Sequence, residues 1–209
     1  MTTSLATRSA DGRIPGQRGL KTRQKLVDAT IALLNAGSYR NVTVKEIALH
    51  VGTSPATFYL YFAGVEDVIL EAAAPLVDDT TAALADFEDG TWAADGLPGA
   101  SRLVDTVLDT WRQHRPVMRV LTAVAAESDY RFMQTYAAVT RPVARVLTAA
   151  IVPNPAPGPV PKAVAHSLVA TLAAAAGHEG SRRVAGLSNK ARREGLAHLV
   201  LASVTTAAL

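Results

Sequence analysis

Apolar residues recur along this chain at helical spacing, and no segment alternates apolar and polar positions as a half-buried strand does. The first periodic run spans Thr22–Asn35, where Leu26, Ala29, Thr30 and Leu33 share a face beside Val27, Ile31 and Leu34, and Gly37 ends it. Thr43-Val44-Lys45-Glu46 is a capping box, in which the Thr hydroxyl and the Glu carboxylate satisfy orphan amides of a new helix carrying Ile47, Ala48 and Val51 inward. Gly52 breaks that pattern, and Ser54-Pro55 restarts it as an N-cap with proline at the first helical position, predicting a short aromatic helix to about Tyr61. From about Val65 an acidic helix presents Val68, Ile69, Ala72, Leu76, Thr80 and Leu84, with Pro75 placed to kink or break it. Residues 89–99, with three glycines and one proline, read as a loop. Helical patterns then cover about 101–114, 116–126, 129–152 (with Pro142 inside), 161–178 and 188–207, and the proline-rich stretch Val152–Pro161 reads as an extended linker. The expectation is an all-α chain of about nine helices with no internal repeat.

The order of helix, capped helix, glycine turn and short helix is the plan of a helix-turn-helix, whose second helix enters a major groove. Ile47, Ala48, Gly52 and Phe58 form its small interior, which leaves Thr53, Ser54, Pro55, Ala56, Thr57 and Tyr59 for the outer side. At 209 residues the chain is short of two full domains, so a small module fused to a larger core is the expected organisation. The divisions are residues 1–20 as a flexible basic arm, 21–64 as the helix-turn-helix module and 65–209 as a helical core. Met1–Leu20 carries Arg8, Arg13 and Arg18 among small polar residues, with no apolar run of a signal peptide.

Charge supports the same division. Residues 1–62 hold eight Lys/Arg against three Asp/Glu, whereas Ala63–Ser101 holds nine acidic side chains and no Lys or Arg. A basic end on a chain that is otherwise slightly acidic points to a polyanionic partner, with a plain solvated basic arm as the alternative. Composition is 49% hydrophobic and 19% charged, enough to bury a sizeable core, and the absence of cysteine excludes disulfides, thiol catalysis and cysteine-ligated metal. No stretch is long and apolar enough to span a bilayer, so a cytoplasmic chain is expected.

Over roughly Lys21–Val68 the sequence resembles the TetR family of bacterial transcriptional regulators. The resemblance is carried by Leu26, Ala29, Leu33, Gly37, Thr43, Ile47, Ala48, Gly52, Ser54, Thr57, Phe58, Tyr59, Tyr61 and Phe62 as one ordered pattern. It implies an all-helical homodimer, an N-terminal three-helix DNA-binding domain and a larger C-terminal core that binds a small molecule and releases DNA. Two departures stand out. Ala63-Gly64-Val65 replaces the usual polar cap and lysine, which removes a phosphate contact, and Pro55 and Ala56 stand where larger polar side chains often sit. With few base-reading donors, specificity then leans on thymine methyls and DNA shape.

The candidate DNA-binding residues are Lys21, Arg23, Thr43, Lys45, Thr53, Ser54, Pro55, Ala56, Thr57, Tyr59 and Tyr61. Thr43 caps a helix end able to face a phosphate, Lys45 and the two tyrosines are backbone contacts, and Ser54 and Thr57 reach base edges or phosphates. For each the alternative is structural: Thr43 and Ser54 as caps only, Tyr61 in the small core. The five histidines (His50, His114, His166, His178, His198) show no ligand spacing, and no glycine-rich phosphate loop or nucleophile elbow is present, so neither an enzyme nor a metal site is expected. No cofactor is expected either.

In the core, Trp111, Met118, Leu121, Phe132, Met133, Tyr136 and His166 are candidate linings of a largely apolar effector pocket, with Gln113, Glu127, Tyr136 and His166 as candidate polar anchors. The last two helices carry apolar stripes, Val164, Leu168, Leu172 and Ala175 on one and Leu196, Leu199, Val200 and Val204 on the other. Paired across a two-fold axis these predict a four-helix homodimer interface. The resulting expectation is a ligand-responsive repressor on a pseudo-palindromic operator. The alternatives are a DNA binder without an effector and, more remotely, a helical carrier or enzyme.

Overall fold

Helix formation begins earlier than the apolar period alone indicates. In the computed structural model, which describes residues 16–125, 129–151, 160–178 and 186–205, α1 runs Gln17–Ala36. Arg18 and Lys21 are therefore helical, and residues 1–15 of the expected arm lie outside the described residues. Leu26, Val27, Ala29 and Leu34 fill the buried face of α1, and buried Thr30 spends its hydroxyl on the Leu26 carbonyl at 2.8 Å.

After a 3-10 turn at Tyr39–Asn41, α2 spans Val44–Val51 and α3 spans Pro55–Tyr59. Gly52 between them adopts φ 72°, a left-handed conformation that opposes any side chain, and the Thr53 N–H closes the turn on the Ala48 carbonyl at 2.9 Å. Helix α4 follows at Val65–Ala72 and packs on α1. Gly64 supplies no side-chain cap, and the Asp67 carboxylate instead accepts the Ala63 N–H at 3.1 Å. Ile47, Ala48, Phe58, Phe62, Val68 and Ile69 are all almost fully buried, and each large side chain among them contributes about 1.5–3 kcal/mol.

The chain divides into two compact units between Ala74 and Pro75, so α4 belongs with the first. Helix α5, Ala74–Ala83, starts at that division with Pro75 in its first turn, where the missing N–H leaves no bond unmade. The acidic helix is thus broken by its proline, and ten α-helices and no strand form among the described residues.

The expected loop at residues 89–99 is largely ordered into helical turns. A 3-10 turn at Ala85–Phe87 is followed by another at Thr91–Asp95 that buries Trp92, and α6 already starts at Leu97, running to Gln113. Gly99 is required there, because a Cβ would lie 1.9 Å from the Trp92 carbonyl oxygen. Helices α7 (Arg115–Ala125), α8 (Tyr130–Ala150), α9 (Pro161–His178) and α10 (Asn189–Thr205) complete the second unit, with Pro142 carried inside α8. The proline-rich stretch lies outside the described residues over 152–159.

Helix α6 packs on α10 and α9, and α8 packs on α7 and α9. Trp111 is fully buried and donates its indole N–H to the Thr80 hydroxyl at 3.2 Å, which in turn donates to the Leu76 carbonyl at 2.7 Å. Arg193 ties α10 to α6 through Asp105 and Asp109 at 2.9 and 2.8 Å. Of the apolar stripes of the last two helices, Leu168, Leu172, Val200 and Val204 are buried within the single chain and so are not open to a dimer seam as expected, whereas Leu199 is 45% exposed and Val164, Ala175 and Leu196 are partly buried. Among the described residues no helix is long and apolar enough to cross a membrane.

Candidate nucleic-acid interface

The first unit places a short, exposed helix edge above a packed interior. Phe58 sinks into the core against Phe62, with ring centroids 5.6 Å apart, and this anchors α3 by its inner face. Pro55, Ala56 and Tyr59 are consequently exposed, Tyr59 to 52%, and Thr53 and Thr57 are half-buried. Ser54 caps α3 by accepting the Thr57 N–H at 3.1 Å, and its hydroxyl also lies 3.1 Å from the Thr57 hydroxyl. These two hydroxyls therefore present themselves as a linked pair.

Thr43 does the equivalent at α2. Its hydroxyl accepts the Glu46 N–H at 3.2 Å and donates to the Glu46 carboxylate at 2.9 Å, while that carboxylate also accepts the Thr43 N–H at 3.0 Å. Thr43 and Lys45 are both exposed, as are Lys21 and Arg18 on α1. Arg40, on the 3-10 turn just before α2, is a further exposed cation on this unit. Sequence reading passed over it because it lies between periodic segments; its proximity to the capping box was the available signal. Tyr61 is half-buried and lies beyond the end of α3.

Arg23 is the exception among the expected contacts. It is only 8% exposed, donates from Nε to Glu71 at 2.8 Å and to the Tyr61 carbonyl at 2.7 Å, forms a second bond to the same carboxylate, and stacks 4.3 Å from the Phe62 ring centroid. Its guanidinium is thus engaged within the unit, which leaves little of it open to the phosphate contact expected of it. The Tyr61 carbonyl is where this strut reaches the end of α3.

The expected effector-pocket residues are spread over α6, α7, α8 and α9 and differ in burial. Trp111, Leu121 and Phe132 are fully buried, and Met133 is 46% exposed. Tyr136 is half-buried, which pushes its phenol pKa up, and Gln113 is exposed. Met118 borders a cavity of about 250 Å³ between α7 and α9 with Arg115 and Arg119, and His166 borders another of about 460 Å³ between α8 and α9. Glu127 lies outside the described residues.

Comparison with known proteins places both units. "Bacterial regulatory proteins, tetR family" matches residues 26–72, and "Tetracyclin repressor-like, C-terminal domain" matches residues 84–208. No curated protein matches. Among solved structures, a tetR-family transcriptional regulator from Streptomyces coelicolor is 22% identical with TM-score 0.63, covering 90% of this chain and 81% of that one. The fatty acid degradation regulator FadR from Bacillus halodurans is 15% identical with TM-score 0.64, covering 90% and 97%. A putative transcriptional regulator from Saccharomonospora viridis, in complex with choline, is 20% identical with TM-score 0.64, covering 87% and 96%. These likenesses are of fold.

Proposed function

The chain belongs to the TetR family of bacterial regulatory proteins, and on that premise we propose that it represses transcription from a pseudo-palindromic operator, bound as a homodimer and released by a small molecule. The observation that carries the reading is α3, sunk by Phe58 and exposed along Pro55, Ala56 and Tyr59. In this account α3 enters the major groove, where Ala56 and the Thr57 methyl suit thymine methyls, and the Ser54–Thr57 hydroxyl pair and Thr53 add polar contacts. Thr43, Lys45, Lys21, Tyr59 and the Tyr61 phenol position the unit on phosphates. With few base-edge donors, DNA shape supplies the remaining selectivity.

A dimer places two such helices one turn of DNA apart, about 34–36 Å. Because Leu168, Leu172, Val200 and Val204 are already buried, the proposed two-fold seam uses the exposed faces of α9 and α10. Those are Ala163, Ser167, Ala170 and Ala174 on α9, and Ala191, Gly195, Leu199 and Ala202 on α10. Small residues there allow close helix approach.

The effector is proposed to enter the second unit with an apolar body and one or two polar anchors; that a protein of this fold was solved in complex with choline supports a small-molecule effector. A ligand that weakens DNA binding must itself be weakened by DNA to the same degree. Chain passes from one unit to the other at Ala74 and Pro75, so Pro75→Ala is expected to change effector response more than operator affinity. An unchanged response in that variant contradicts the part given to Pro75.

The test is a titration of the purified protein against DNA from upstream of its own gene and against a scrambled duplex at two salt concentrations. Site-selective binding that persists at the higher salt is expected. Equal, salt-sensitive binding to both duplexes overturns the operator reading.

A further inference from the structure

Between α8 and α9, the side chains of Arg141, Arg145, Lys162 and His166 surround a cavity of about 460 Å³ whose remaining walls are Ala144, Thr148 and Ala149. The lining surface is mostly apolar, and no carboxylate belongs to it. Thr148 spends its hydroxyl on the Ala144 carbonyl at 2.6 Å, so it offers no free donor. Arg145 reaches out of the groove to Glu88 at 3.1 Å, a pair in which both side chains are more than half exposed. Arg141 and Lys162 are exposed and have no acidic partner among the described residues.

Cations on an ordinary helical surface are interleaved with acids, as Arg193 is with Asp105 and Asp109 on α6. Here two helices bring cations to one apolar depression whose lining holds no acid, Glu88 pairing with Arg145 from outside it. Solvent screens exposed charges, so neither the cations nor the alanine surface alone holds a ligand tightly. Together they select a molecule that satisfies both at once. A guanidinium can bond a planar anion in bidentate fashion while an ammonium binds it as a point charge, and burial of a hydrocarbon body adds the apolar term.

We infer that this groove binds a small organic anion, its carboxylate, sulfonate or phosphate held by Arg141 and Lys162 and its apolar body lying on Ala144 and Ala149. Binding stands on these residues; use of the groove as the effector site rests also on the regulator reading above, whose polar anchor it then defines as anionic.

The experiment is isothermal titration of the full chain, without DNA, with three probes: octanoate, octylammonium and inorganic phosphate. Octanoate is expected to bind saturably at one site per chain, octylammonium not to bind, and phosphate to bind at least about tenfold more weakly than octanoate. The double variant Arg141→Gln, Lys162→Gln is expected to weaken octanoate at least about tenfold, with an unchanged thermal melt because both residues are exposed. Lys190→Gln, a cation outside the groove, leaves binding as it was. Octylammonium or phosphate binding as tightly as octanoate overturns the inference, and so does parental affinity in the double variant. Repeating the DNA titration with octanoate present separates the two readings: binding with no effect on DNA keeps the site and removes its effector role, whereas absence of specific DNA binding in either state falls on the regulator reading alone.

Discussion

In the first unit one arginine, Arg23, lies 8% exposed beneath the end of α3, its guanidinium shared between Glu71 and the Tyr61 carbonyl. In the second, Arg193 bridges two carboxylates that are themselves about half exposed, Asp105 at 53% and Asp109 at 46%. The chemistry is the same and the consequence differs in degree, because water competes more for the second pair than for the first, where Glu71 is 28% exposed. Size sharpens the contrast. A small helical unit buries a smaller fraction of its surface, so one buried polar node is a larger share of its stability than a surface bridge is of a larger core.

That contrast is open to direct attack, and both tryptophans, Trp92 and Trp111, lie in the second unit and report on it separately. Arg23→Ala is expected to destabilise the first unit by about 3 kcal/mol, since it leaves Glu71 and the Tyr61 carbonyl without their donor. A denaturant titration checks it: helical circular dichroism splits into two transitions while tryptophan fluorescence keeps its midpoint. Thr43→Ala removes one half of the capping box and is expected to destabilise the same unit by about 1 kcal/mol, measured as a shift of the earlier transition. Arg193→Ala is expected to lower the tryptophan midpoint by less than about 1 kcal/mol. If Arg193→Ala proves as damaging as Arg23→Ala, burial is not what separates the two arginines.

How much of this was legible in the sequence depended on the range of the interaction. Thr43 with Glu46, Ser54 with Thr57, and Gly52 in its turn are local, and their types and spacing announce the helix-turn-helix before any coordinates. Arg23 was read as a DNA contact because its partner Glu71 is 48 positions away and no linear pattern joins them. The stripes of α9 and α10 were identified by period, but periodicity shows only which residues seek burial. It does not say whether their own chain or a second copy covers them, and here α6 and its neighbours cover Leu172 and Val200. Trp111, Leu121 and Phe132 pose the same ambiguity, since a large apolar side chain reads alike whether it fills a core or lines a void, and all three are fully buried. Gly99 was read as a loop residue because its requirement comes from the Trp92 carbonyl pressed against it, not from a turn.

The central claim is that the outer side of α3 meets DNA, and Ala56→Glu tests it most directly. Ala56 is exposed in the first turn of α3, where a carboxylate is favourable to the helix, so the fold should be retained. In the groove the same carboxylate faces the polyanion. Affinity of this variant for the operator, measured beside its thermal melt, is predicted to fall to the level of a scrambled duplex with the melt unchanged. Operator binding equal to that of the parent chain contradicts the account.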